Sequence, residues 1–301
     1  MKLSIVISTY NRAQSLARTL TSVKNLGSEI IVVDNESSDA TASIAKSYGA
    51  KVFKRPNNLM LNTNKNYGFT KALGDWILCL DDDEVVTPEL GKEILETIEN
   101  TDVFGYWIPR KNIIFGKFIQ HGIWWPDPQL RLFKKGYGTY PEKHVHEYLA
   151  VEGTTATLKQ PYIHYNYDSL HQYLEKMQHI YTENEAKKYI GLGYKVSWYD
   201  ALRFPLSDFV KIYFAQSGYK DGLHGLVLSL LQAFYSFIIF VKLWEKEKFL
   251  EIDVTHPQAL REMQRSIKEI QYWMLTTRIH ETANPFIKLW NQILRRTRRI
   301  S

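Results

Sequence analysis

Apolar positions in the first hundred residues alternate between two periods. Residues 3–8 form a β-rich apolar run, after which Leu16, Leu20 and Val23 recur at the spacing of one helix face. Glu29–Asp34 (EIIVVD) is a continuous apolar run that ends in an acid, the pattern of a strand buried on both faces. Ser38-Asp39-Ala40-Thr41 then offers a helix cap ahead of Ile44, Ala45 and Tyr48. A short strand is expected at Lys51–Lys54, a helix over residues 66–73, a strand over 76–80 and a helix over Pro88–Glu99, whose proline fits the first turn. Strands separated by helices of this length predict right-handed crossovers and an α/β fold, a mainly parallel sheet with helices on both faces.

Ligands of such sheets bind at the carboxyl ends of the strands. Here those ends carry Thr9, Asp34 and Asp81-Asp82-Asp83. Neither the dinucleotide glycine fingerprint nor a phosphate-binding loop follows the first strand, so another group must neutralise any phosphate. Four acids in a row, Asp81 to Glu84, repel one another after an apolar strand unless a cation offsets them or the turn is fully solvated. Two carboxylates at i and i+2 can hold one hard divalent ion, Mg²⁺ or Mn²⁺, whose other positions remain for diphosphate oxygens.

Composition narrows the setting. Aromatic residues make up 14% of the 301-residue chain, which suits both sugar stacking and a membrane interface. The single cysteine, Cys79, allows no internal disulfide and predicts a reducing compartment. The opening apolar run is too short for a signal peptide, so a cytoplasmic location is expected. Of the net charge of +6, residues 151–301 supply +5 (20 Lys/Arg less 15 Asp/Glu).

Residues 5–12 (IVISTYNR), Ile31-Val32-Val33-Asp34 with Ser37–Thr41, Gly74-Asp75-Trp76-Ile77-Leu78 and the acids 81–84 together resemble the inverting family 2 glycosyltransferases of GT-A fold. Leu130-Arg131-Leu132-Phe133, Val145-His146-Glu147 and Gly218-Tyr219-Lys220-Asp221-Gly222 extend the resemblance to the lipopolysaccharide inner-core β-1,4-glucosyltransferases that act on heptose. This likeness covers roughly residues 1–250 and is an argument from family analogy. It implies a GT-A catalytic domain at 1–170, with a donor half at about 1–100 and an acceptor half at about 101–170. A helical region with membrane-associating segments would follow at 171–301. It places Asp34 on the uracil or ribose of a UDP-sugar, with Thr9 and Asp39 lining the same pocket. Asp81 and Asp83 match the acidic metal motif, Asp83 as the direct ligand and Asp81 beside it; Asp82, on the donor side, stands where the family commonly has a small residue, and His164 matches a late histidine ligand.

An inverting transfer also needs a carboxylate that takes the acceptor hydroxyl's proton. The metal-holding acids lie on the leaving-group side, and Glu147 falls where the resembled family has its base. His144 and His146 would orient Glu147, bind acceptor phosphate or simply pack. Arg131 could pair with the diphosphate or lock a loop through a carboxylate. Trp124 and Trp125 would form an acceptor-side loop, by stacking on a sugar or by anchoring a lid.

Residues 225–241 carry no charge over 17 positions, at the lower limit for a spanning helix, with Ser229, Gln232 and Ser236 as a narrow polar stripe. They predict a helix lying in an interface, packed under the catalytic domain or buried in a core. Residues 285–301 hold Lys288, Arg295, Arg296, Arg298 and Arg299 without an acid, beside Phe286, Leu289, Trp290 and Ile293 at helical spacing, a pattern attracted to anionic lipid. The expected partners are a nucleotide-sugar, a glycolipid or lipopolysaccharide-core acceptor and an anionic membrane surface at the cytoplasmic face. Oligomer contacts through the C-terminal helices are a further option, and no base-reading pattern points to nucleic acid. Two rivals stand beside this reading. A nucleotidyltransferase would carry a basic, glycine-containing loop after the first strand, and a non-catalytic membrane scaffold would have lost the acids.

Overall fold

The computed structural model describes residues 1–57, 61–99, 102–142 and 148–297. They form two compact units, Met1–Phe118 with Trp124–Asp168, and Ile119–Ile123 with Ser169–Ser301.

In the first unit, β1 (Leu3–Thr9), α1 (Ala13–Val23), β2 (Glu29–Asp34), α2 (Thr41–Ser47), β3 (Lys51–Lys54), α3 (Leu61–Lys71), β4 (Trp76–Asp81), β5 (Glu84–Val85) and α4 (Pro88–Glu99) follow in order. Then come β6 (Gly105–Ile108), β7 (Arg110–Ile114), β8 (Lys117–Phe118), β9 (Gln129–Lys134), β10 (Gly138–Thr139), β11 (Ala150–Val151), β12 (Thr155–Thr157) and β13 (Tyr162–Tyr167). The main sheet runs β12-β6-β9-β4-β1-β2-β3, with β1 to β4 parallel and β9 antiparallel to both its neighbours. A second sheet, β5-β13-β7-β8, brings β13 between β5 and β7.

The expected mixed α/β class is what the chain adopts, and the strand pleat explains the layers. Ile5, Ile7, Val32, Leu78 and Leu80 point to one face, where Leu16, Leu20 and Val23 of α1 and Leu90 and Ile94 of α4 cover them. The alternate residues Val6, Ile31, Val33, Ile77 and Cys79 point to the other face, against Phe69 of α3 and Ala72 just beyond its end. Strands buried on both sides have no polar positions to spare, hence the unbroken apolar runs.

Helix α3 starts five residues before the expected boundary at 66. Its first turns are polar yet buried, so hydrophobic periodicity could not mark them. Asn64 Nδ2 donates to Asn35 Oδ1 at 2.6 Å and to the Pro56 carbonyl at 3.1 Å, while Lys65 Nζ lies 2.5 Å from Asp81 Oδ1.

The second unit is helical. A continuous helix comprises α5 (Leu170–Lys176), a π-helical segment (Met177–Tyr181) and α6 (Thr182–Gly191). A second passes from α7 (Asp200–Phe209) into a π-helical segment (Val210–Ala215). A short 3₁₀ turn (Gly218–Asp221) then leads to α8 (Leu223–Lys246), α9 (His256–Glu281) and α10 (Pro285–Thr297). A single division near residue 170 is expected from the sequence, but Ile119–Ile123 also groups with the helices. Asp221 is the reason: its carboxylate accepts the backbone N–H of Gln120 at 3.2 Å and of His121 at 2.9 Å. Among the described residues, α8 is the one helix long and apolar enough to cross a membrane by length and composition. Its polar stripe faces the interior. Ser229 Oγ bonds the Gly225 carbonyl at 2.7 Å, and Ser236 Oγ bonds the Asp208 carboxylate.

Candidate active site

The parallel strands deliver their terminal residues to one edge of the first unit. Thr9 and Asp34 end neighbouring strands β1 and β2 in matched register, and Ser8 of β1 pairs with Asp81 of β4. Asp34 is fully buried; its Oδ1 accepts the Ser37 N–H at 3.2 Å, whereas Oδ2 has no hydrogen-bond partner among the described residues. A buried carboxylate oxygen without a donor is costly, so this position suits a ligand N–H or O–H. Asp39, expected in the same pocket, is exposed and acts as a clamp. It accepts the Thr41 N–H at 2.9 Å and the Ala13 N–H at 3.2 Å, and its bonds with Thr41 hold its pKa below the ordinary value.

The four acids divide into distinct roles. Asp81 and Asp83 do not converge on one point as expected from their spacing, because Asp81 is already enclosed by cations. Its Oδ1 meets Lys65 at 2.5 Å and its Oδ2 meets Arg131 at 2.5 Å. Burial opposes ionisation there, but Arg131 and Lys65 override it and hold the carboxyl far below the usual range. Glu84, fully buried on β5, accepts Arg131 at 2.6 Å and the Asp81 N–H at 2.9 Å. Arg131, which could have gone to the diphosphate, is therefore spent on two carboxylates and on the Tyr140 hydroxyl at 3.2 Å. Asp82 is half-buried; burial first and the adjacent Asp83 second push its pKa up to about 7.

Asp83 instead faces β13. The register of β13 sets His164 beside Glu84 on one side and Asn112 of β7 on the other. Asp83 Oδ1 lies 3.4 Å from His164 Nε2, and His164 Nδ1 lies 2.7 Å from Asn112 Oδ1. The Asn112 amide is oriented by two acceptors, the Trp124 carbonyl at 2.7 Å and Asp127 Oδ2 at 3.2 Å, which both require its NH₂ end. Its oxygen is then left for His164, so the imidazole proton sits on Nδ1 and the Nε2 lone pair points at a carboxylate. Two electron-rich atoms at that distance call for a cation between them, or a proton on Nε2. An imidazole whose outer nitrogen donates to a fixed carbonyl is how histidine metal ligands are held.

This pair therefore fits Mg²⁺ or Mn²⁺. Among the described residues, no three His, Cys, Asp or Glu side chains gather about one point. The chain would supply Asp83 and His164, leaving the other positions to donor oxygens and water, as hard divalent ions bound with nucleotides prefer.

The acceptor-side expectations separate. Trp124 is 8% exposed, and its backbone carbonyl takes the Asn112 bond, so its ring is a buried anchor and offers no stacking face. Trp125 is half-buried and packs edge-on against Phe118 at 5.2 Å. Asp127 fixes this loop by accepting Arg110 Nε at 2.8 Å. Glu147, His144 and His146 lie outside the described residues. Residues that pattern reading missed are Lys65, Asn64, Asn35 and Asn112. The run Asn62-Thr63-Asn64-Lys65-Asn66 at the start of a helix was the available signal for the first two; Asn112 has none, because only strand pairing brings it to His164.

Residues 4–149, which hold every strand-end acid, match the family described as Glycosyl transferase family 2. The chain is 30% identical over 256 residues to an uncharacterized glycosyltransferase of Rickettsia bellii (strain RML369-C), covering 81% of this chain and 86% of the relative. It is 23% identical over 255 residues to the lipopolysaccharide core biosynthesis glycosyltransferase LpsC of Rhizobium meliloti (strain 1021), covering 82% and 93% of the two. Among solved structures, it is similar to S. aureus TarS 1–349 in complex with UDP-GlcNAc, with a TM-score of 0.48 and 16% identity over 99% of this chain and 89% of that one. The match across the acid-bearing strands, and a relative that shares most of its length with this sequence, show that the chain belongs to glycosyl transferase family 2 and is a glycosyltransferase.

Proposed function

We propose that the chain moves a sugar, glucose by the sequence resemblance, from a uridine diphosphate donor onto a hydroxyl of a lipopolysaccharide-core or lipid-linked glycan, with inversion at the anomeric carbon. The observation that carries this reading is the Asp83–His164 pair, whose facing oxygen and nitrogen favour a cation at the strand end where a diphosphate would leave. Asp34 Oδ2, buried and without a donor among the described residues, suits the N–H or O–H of the uridine. A divalent cation bound by Asp83 and His164 would supply positive charge opposite the departing diphosphate. Lys65 and Arg131 keep Asp81 ionised and fixed, so the strand end stays rigid while the ligand changes. Glu147, assigned by family position, would accept the acceptor's proton as its oxygen bonds to the anomeric carbon. The bond to the diphosphate breaks on the opposite side, and the diphosphate leaves with the electron pair. The lipopolysaccharide-core acceptor draws support from the name of the Rhizobium relative.

Calorimetric UDP binding with and without Mn²⁺ tests the cation site. Mn²⁺ should tighten UDP binding in the wild type and have no effect in Asp83→Asn or His164→Ala. An unchanged Mn²⁺ effect in both variants removes the assignment. Glu147→Gln should bind UDP normally and lose transfer; full transfer excludes Glu147 as base.

A further inference from the structure

Helix α10 is amphipathic with its faces reversed relative to a water-facing helix. Phe286, Leu289, Trp290 and Ile293 recur at i, i+3, i+4 and i+7, and they are 82%, 57%, 62% and 49% exposed. The inward side is polar. Asn291 is buried, and Arg295 lies over the Tyr272 ring of α9 at 5.6 Å and donates to Thr276 Oγ1 at 3.4 Å. A helix normally buries its apolar stripe. Here docking by the polar side leaves that stripe in the open.

Helix α8 buries Leu228, Ile239, Phe240 and Leu243, yet it too leaves apolar side chains in the open. Its serines point inward, while Leu223, Val227, Leu230, Phe234 and Phe237 form an outward stripe at spacings of four and three. Exposed apolar area of this extent marks a surface that something covers.

Charge decides between occupants. Arg296 of α10, three residues after Ile293, is exposed at the border of the stripe, and no Asp or Glu occurs between residues 282 and 301. A second copy laid face to face on α10 would bring this cation against its own copy with no acid in the segment to pair it. An anionic lipid headgroup layer pairs with it directly, and the apolar stripe then enters the acyl boundary with Trp290 at the interface.

We propose that the outward face of α10 docks the protein on an anionic lipid surface, lying in the interface plane. This stands apart from the donor and cation reading, which concerns the first unit alone. The test is co-sedimentation of the full chain with phosphatidylcholine vesicles, with and without phosphatidylglycerol. The wild type should pellet with the phosphatidylglycerol vesicles and be released by high salt. Arg296→Gln should weaken partition by about fivefold, and Leu289→Ser with Trp290→Ser should abolish it. These three side chains are exposed, so the variants should melt and bind UDP as the wild type does, which separates lipid docking from the function of the site. Failure of the wild type to pellet, or wild-type partition by both variants, overturns the proposal. A dimer that separates in Leu289→Ser with Trp290→Ser, without vesicle binding, overturns it in favour of a second copy.

Discussion

Replacing Arg131 with methionine removes the cation from the centre of the strand-end network while keeping most of the side chain's apolar volume. The guanidinium side chain is 6% exposed; its partners are Glu84, 0% exposed, and Asp81, 34% exposed. Asp81 keeps Lys65 and some solvent, so the penalty falls mainly on Glu84, which among the described residues retains the Asp81 N–H as its donor. Removing one member of a buried pair costs about 3–5 kcal/mol, because the remaining charge is left uncompensated in a medium of low polarity. For a unit of this size, each kcal/mol lowers the melting temperature by about 2–4 °C, so Arg131→Met should melt about 6–20 °C below the wild type. Adding Glu84→Gln, which takes away the stranded charge, should recover about half of that loss, and a double-mutant cycle isolates the coupling. Circular dichroism melts of the three variants, with UDP affinity measured well below the transitions, give the complete set. A single variant that melts as the wild type does, yet no longer binds UDP, refutes the reasoning and returns Arg131 to the diphosphate.

Asp34→Asn converts one carboxylate oxygen into a donor where the ligand itself must donate. UDP affinity measured by calorimetry should fall by about 1.5–3 kcal/mol, with little change in melting, and undiminished binding would take Asp34 out of the pocket. In the helical unit, Arg203 Nε and Nη2 grip Glu262 at 2.6 and 2.8 Å, and those bonds hold the Glu262 pKa below its ordinary value. The unfolded chain therefore binds a proton at Glu262 more readily than the folded one, so the pair's stabilisation is complete above the unfolded carboxyl pKa and is lost as pH falls through the folded value. The difference in urea midpoint between wild type and Glu262→Gln should be largest near neutrality and vanish in acid; a constant difference would contradict the assignment.

The sequence alone determined the layered α/β unit, because β1, β2 and β4 are buried on both faces and had to be written as unbroken apolar runs. It also determined which acids stand at the strand ends, since Asp34 and Asp81–Asp83 directly follow those runs. Their partners were decided by tertiary structure. Asp81 and Asp83 look equivalent at i and i+2, yet one is enclosed by Lys65 and Arg131 and the other faces His164. Those contacts come from α3, β9 and β13, whose positions depend on strand order and register rather than on neighbouring residues. The proton on His164 Nδ1 is a longer-range consequence still, set by Asn112, whose own orientation follows from the Trp124 carbonyl and Asp127. The outward apolar faces of α8 and α10 belong to the same class. Periodicity marks an amphipathic helix, but it does not say which face the rest of the protein leaves uncovered.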